Sequence, residues 1–127
     1  LNAVPKVVFV DNEVASVGMT EDQAKKSGCK YKVGRFPLTA NGKALILNGG
    51  EGLIKVILGE PYGEVLGVHI TGPHASDLIQ EAALALRLEA TADELISTIH
   101  GHPTVSEAVR EAVLAAEKRA IHMPNRK

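Results

Sequence analysis

Leu53-Ile54-Lys55-Val56-Ile57-Leu58-Gly59 and Glu64-Val65-Leu66-Gly67-Val68-His69-Ile70 are two apolar, β-branched runs separated by Glu60-Pro61-Tyr62-Gly63. Proline early and glycine late is the preference of a reverse turn, so the stretch reads as an antiparallel hairpin. Neither run alternates cleanly between apolar and polar residues. The sheet containing them is therefore expected to be covered on both sides over part of its length.

Downstream of the hairpin the pattern changes to helical spacing. Leu78, Ile79, Ala82, Ala83 and Leu86 mark one stripe of a helix over Ser76 to Leu88, and Leu84, Ala85 and Leu88 widen it. A helix apolar over so much of its circumference is buried on more than one side, as a sheet on one side and a second subunit on the other would require. Thr91-Ala92-Asp93-Glu94 is a capping box that opens a short helix ending near Ile99. Val105, Ala108, Val109, Ala112, Val113 and Ala116 mark one face of a final helix to about Ala120, with Glu and Arg opposite.

Upstream, Lys6 to Val10 is a strand bounded by Asp11-Asn12. Thr20-Glu21-Asp22-Gln23 is a further capping box, predicting a helix to about Ser27 that Gly28 stops. Tyr31 to Leu38 is strand-like, with Pro37 pushing its end toward a sheet edge or an exit. With no internal repeat and no linker, the whole of residues 1–127 reads as a single α+β domain: an antiparallel sheet with a central hairpin, packed against helices.

Composition narrows the function. The chain has 127 residues, 45% hydrophobic and 23% charged, which excludes disorder as a description of the whole. Fourteen Lys and Arg against fifteen Asp and Glu give a net charge of −1, and aromatics are 3%. That provides neither a basic field nor a stacking platform for nucleic acid. No apolar run approaches the roughly 20 residues of a membrane span. The opening Leu1-Asn2-Ala3-Val4-Pro5 lacks the regions of a signal peptide, making a cytoplasmic location the default. Cys29 is the one cysteine; it excludes an internal disulfide or dithiol and reads as a small, partly buried hydrophobe.

Asn48-Gly49-Gly50-Glu51-Gly52 is the densest glycine cluster, but it runs into a strand, whereas phosphate binding needs a helix N-terminus behind the glycines. It reads as a turn before the hairpin. Among the histidines, His69 lies in an apolar strand as a hydrogen-bonded structural residue. His74 precedes a helix that Ser76 or Asp77 would cap, and His122 sits in a basic, solvated tail. His100-Gly101-His102-Pro103-Thr104-Val105-Ser106-Glu107 is different. A neutral imidazole accepts a proton near physiological pH, and a carboxylate on its other nitrogen fixes the tautomer and stabilises the imidazolium. The same residues admit other readings. Thr104-Val105-Ser106-Glu107 is also a capping box in which Glu107 would only satisfy Thr104. A His-x-His pair could hold a metal, although no third ligand is nearby. Ser106 lacks a nucleophile-elbow context.

His-x-His-Pro-Thr-x-Ser-Glu followed by Ala-x-x-Glu-Ala resembles the C-terminal signature of the flavin-dependent pyridine nucleotide-disulfide oxidoreductases, in their dihydrolipoamide dehydrogenase branch. The start, Pro5 to Phe9 and Glu13 to Glu21, resembles the beginning of that family's interface domain. Gly67 to Gly72, with Ala75 and Asp77-Leu78-Ile79, resembles its hairpin exit and helix. The likeness covers essentially the whole chain. His100 favours this branch over glutathione reductases, which share the His-Pro-Thr-x-x-Glu core, and Asn12 stands where the family commonly has proline.

The resemblance implies the C-terminal dimerisation domain of a longer flavoenzyme that uses FAD and NAD. In it His102 is the acid–base residue and Glu107 orients it. The pair acts in trans on the partner subunit's disulfide and flavin, and His102 and Pro103 contact that FAD. His100 would line the same site. The implied partners are a second copy, giving a homodimer, and a lipoyl-bearing protein of a 2-oxoacid dehydrogenase or glycine cleavage complex. The chain alone would bind no cofactor, hold no metal and be inactive. An interface domain of another flavin disulfide reductase and a non-catalytic dimer module are the alternatives.

Overall fold

The computed structural model describes residues 3–126; Leu1, Asn2 and Lys127, at the ends of the single domain read from the sequence, lie outside them. Five strands form one antiparallel sheet: β1 (Lys6–Val8), β2 (Val14–Gly18), β3 (Tyr31–Pro37), β4 (Leu53–Gly59) and β5 (Val65–Thr71). Their spatial order is β1-β2-β5-β4-β3, so the hairpin β4–β5 occupies the centre and β3, ending at Pro37, is an edge. The helices are α1 (Glu21–Lys26), α2 (Gly42–Asn48), α3 (Ala75–Arg87), α4 (Ala92–Ser97) and α5 (Glu107–Ala116), with a 3-10 turn at Leu38–Ala40. No helix among the described residues is long and apolar enough to cross a membrane.

The register aligns Ala15, Ile70, Ile54 and Phe36 in one row and Val17, Val68, Val56 and Gly34 in another. These rows form the core face, closed by α3 and α5 through Ile79, Ala82, Val109, Ala112 and Val113. Each fully buried Val or Ile there contributes about 1.5–3 kcal/mol of transfer free energy. The intervening row, Ser16, His69, Lys55 and Arg35, faces the opposite way. There Glu21 of α1 pairs with Lys55 at 3.1 Å and Arg35 at 3.0 Å. His69 Nε2 lies 2.8 Å from the Met19 carbonyl, as a structural histidine. Ile57 on this side is also fully buried, so the central hairpin is covered on both faces over part of its length.

Gly34 decides how close α5 comes. A Cβ there would run into the Ala112 carbonyl and the Ala116 backbone, so only glycine permits this approach.

Several local expectations shift. β2 and α2 add to the elements read from the sequence, and β1 stops at Val8. Asn48-Gly49-Gly50 ends α2, with Gly49 in the left-handed conformation at φ 78°. Cys29 is exposed, not partly buried, because it follows the turn that ends α1. The cap of α3 is also different: His74 occupies the N-cap position with φ 62°, and the Ser76 hydroxyl turns to Glu13 at 3.0 Å. The final helix spans Glu107–Ala116, and Glu111 is buried rather than on its solvent side. α3 buries its sheet side, while Leu84 and Leu88 are 59% and 69% exposed in the single chain.

Candidate acid–base site

The site is built on the loop that joins α4 to α5. Glu107 opens α5, where a carboxylate is favoured by the unpaired N–H groups of the first turn. Its Oε2 accepts the Thr104 N–H at 3.0 Å, and its Oε1 lies 2.9 Å from His102 Nδ1. One carboxylate therefore makes both the contact to Thr104 and the contact to the imidazole, although only half of the capping box forms. The Thr104 hydroxyl donates to the Gly101 carbonyl and meets the Ser106 hydroxyl at 2.9 Å.

Partial burial of Glu107 opposes ionisation. The Thr104 N–H, the bond and charge of His102, and the charge of His122 together outweigh it, and the carboxyl is held below its ordinary range. An ionised carboxylate only accepts, so the neutral His102 ring carries its proton on Nδ1 and directs the Nε2 lone pair outward. The His102 side chain is 80% exposed, which leaves Nε2 accessible. The His102–Pro103 peptide is cis.

His100, two residues earlier, is arranged oppositely. Its side chain is 6% exposed, Nδ1 lies 3.0 Å from the Thr98 carbonyl, and Nε2 lies 2.9 Å from the Glu81 carboxylate of α3. Both ring nitrogens are occupied. The two histidines thus turn to different carboxylates, and no group of three metal-ligating side chains occurs among the described residues.

Three supporting residues escaped the sequence reading. Glu81 carried no local signal, being 19 positions from its partner. Glu111, 3% exposed, accepts the Ile121 and His122 N–H groups at 3.0 and 3.1 Å and so holds His122 on the Glu107 side. Asn41 could have been found as an N-cap ahead of Ala44 to Leu47; its side chain also reaches the Thr104 carbonyl at 3.0 Å. Ile96, His100, Glu107, Arg110, Glu111 and His122 line a cleft of about 380 Å³. The cluster Gly49-Gly50-Glu51-Gly52 leads into β4, a strand and not a helix N-terminus.

A five-stranded antiparallel sheet with helices closing one face and a His-Glu pair on the loop before the last helix defines the class. Residues 4–113 match the family model for the pyridine nucleotide-disulphide oxidoreductase dimerisation domain, and the chain belongs to that family. It is 50% identical over 119 residues to dihydrolipoyl dehydrogenase of Bacillus subtilis, covering 94% of this chain and 25% of that protein. Over 123 residues it is 51% identical to dihydrolipoyl dehydrogenase of Thermus scotoductus, covering 97% of this chain and 27% of that one. LpdA from Mycobacterium tuberculosis superimposes with a TM-score of 0.84 at 28% identity, over 89% of this chain and 25% of that one. The flavoprotein disulfide reductase RclA from Escherichia coli gives 0.83 at 27%, over 87% and 25%. The chain spans about a quarter of the length of these relatives.

Proposed function

We propose that this chain is the C-terminal interface domain of a dihydrolipoyl dehydrogenase and supplies its acid–base histidine. The observation that carries the reading is the 2.9 Å contact of His102 Nδ1 with Glu107, which leaves Nε2 open at the surface. In the homodimer Nε2 of one protomer removes the proton from a dihydrolipoyl thiol. Glu107 stabilises the resulting imidazolium, and the ring later gives the proton to the sulfur released when the partner subunit's disulfide opens. The thiolate attacks the partner subunit's redox disulfide, forming one S–S bond as another breaks. FAD and NAD, if bound by the rest of the polypeptide, would supply the acceptors for the electron pair. No hydrogen-bond donor among the described residues takes the His102 carbonyl, which with Pro103 forms the edge this chain would present to the partner's FAD. The thiol is carried on a lipoyl-bearing protein of a 2-oxoacid dehydrogenase or glycine cleavage complex, in the cytoplasm.

His102→Gln in the full-length polypeptide tests the reading. Dihydrolipoamide oxidation should fall about 10³-fold, within the range for loss of a general base. Unchanged thiol turnover would reduce the domain to a dimer module. The same enzyme assayed on glutathione and on lipoamide fixes the thiol class. The purified 127-residue chain should show no flavin absorbance and no NAD-dependent turnover; either signal contradicts its role as a contributor to a composite site.

A further inference from the structure

We propose that Asn41 is a positioning residue for His102, holding the histidine loop at a fixed height over α5 through the Thr104 carbonyl. The inference rests on the acid–base reading of His102 and goes beyond it. Asn41 is 6% exposed, and both halves of its amide are engaged. Oδ1 accepts the Ala44 N–H at 2.8 Å and Nδ2 donates to the Thr104 carbonyl at 3.0 Å. A flipped amide would set donor against donor and acceptor against acceptor, so the orientation is determined by its partners. Its backbone is equally fixed. The Asn41 N–H bonds the Leu38 carbonyl at 3.0 Å, and the Leu38 N–H bonds the Gly52 carbonyl at 3.0 Å, tying the turn to the start of β4.

The residue type identifies the second bond as the one requiring asparagine. Capping α2 needs only an acceptor, which Asp or Ser supplies as well. Reaching across to Thr104 as well needs a donor on a second atom beside the acceptor, and among the strong N-caps only the Asn amide carries the two on separate atoms. Pro103 has no N–H, so Thr104 carries the first backbone N–H C-terminal to His102, and its N–H and carbonyl together give the loop two points of attachment. Glu107 takes the Thr104 N–H and Asn41 takes its carbonyl, so the peptides on both sides of Thr104 are held. Asn41, His102 and Glu107 also line one cavity of about 60 Å³. A bond 63 residues long in sequence thus connects the sheet to the loop that aims the imidazole.

Asn41→Asp keeps the helix cap and puts an acceptor where Nδ2 donates; Asn41→Ser keeps the cap but its single hydroxyl oxygen replaces both amide atoms and stops short of Thr104. In the full-length polypeptide, kcat for dihydrolipoamide oxidation should fall about tenfold in both, short of the roughly 10²-fold cost of a 1 Å misplacement. KM for the thiol should stay within about twofold, as should quinone reduction by NADH, which has no thiol proton to remove. Thiol turnover within twofold of the parent in both variants, with His102→Gln inactive, overturns the positioning role alone. Parallel loss of thiol and quinone activity also overturns it, by showing a general structural effect. Full activity of His102→Gln removes the base, and this proposal with it.

Discussion

His100 and His102 stand two residues apart on one loop, each against a glutamate, and the structure uses them for opposite ends. His100 is 6% exposed with both ring nitrogens against protein oxygens, the Thr98 carbonyl and the Glu81 carboxylate, so neither nitrogen is open to a substrate. His102 is 80% exposed, with one nitrogen on Glu107 and the other open. The first imidazole ties the loop to α3 through Glu81; the second is held on one side so that its other side is available. Pairing with a carboxylate therefore does not identify a base. The unoccupied nitrogen is the feature on which the proposed role of His102 rests.

Exchanging the two roles by mutation gives the largest contrast. His102→Gln should cost about 4 kcal/mol of transition-state stabilisation, the equivalent of 10³-fold, and leave stability within about 0.5 kcal/mol. His100→Gln should instead lower unfolding stability by about 1–3 kcal/mol, because one amide cannot span the Thr98 carbonyl and the Glu81 carboxylate as the ring does. Kinetics and urea unfolding of the two variants side by side test this; equal effects on both measurements would erase the distinction.

Glu107→Gln is next. An amide permits either ring tautomer of His102, and turnover should fall about 10²-fold, less than loss of the imidazole itself. Its pH signature has a definite sign. The Glu107 carboxyl is held below 4.5 in the folded chain, so its contribution to stability is complete above that value. The contribution is lost as pH falls from there through the folded value. Urea midpoints of the parent and Glu107→Gln should differ more at pH 7 than at pH 3; a gap that widens in acid contradicts the assignment.

The smallest effect lies away from the site, where Asn12 Oδ1 is buried without a hydrogen-bond partner. Asn12→Ala should be neutral or stabilising by up to about 1 kcal/mol, since no bond is lost and an unsatisfied oxygen is removed. A clear loss of stability would point to a partner for that amide.

The contrast between the histidines also shows what could be read in the sequence. His102 and Glu107 were legible because their separation is short and the carboxylate opens a helix. The hairpin and the Thr20–Gln23 capping box were legible for the same reason, and Gln23 does return its bond to the Thr20 N–H at 3.0 Å. His100 was visible as a residue but not as an anchor, since Glu81 belongs to another helix. β2 was missed because Ala15, Ser16 and Gly18 are poor strand formers, and its conformation comes from pairing with β5. α2 was missed because Leu45, Ile46 and Leu47 are consecutive and exposed, with no helical stripe to detect.

Gly34 has no functional group, yet α5 rests on it through Ala112 and Ala116, and the same helix carries Glu107 in its first turn. Any engineering of this chain meets a limit there. A methyl group added to β3 would lift the whole helix, and with it the distance at which carboxylate and imidazole meet. The geometry of the His102–Glu107 pair is therefore set partly by a position with no side chain, on a strand at the edge of the sheet.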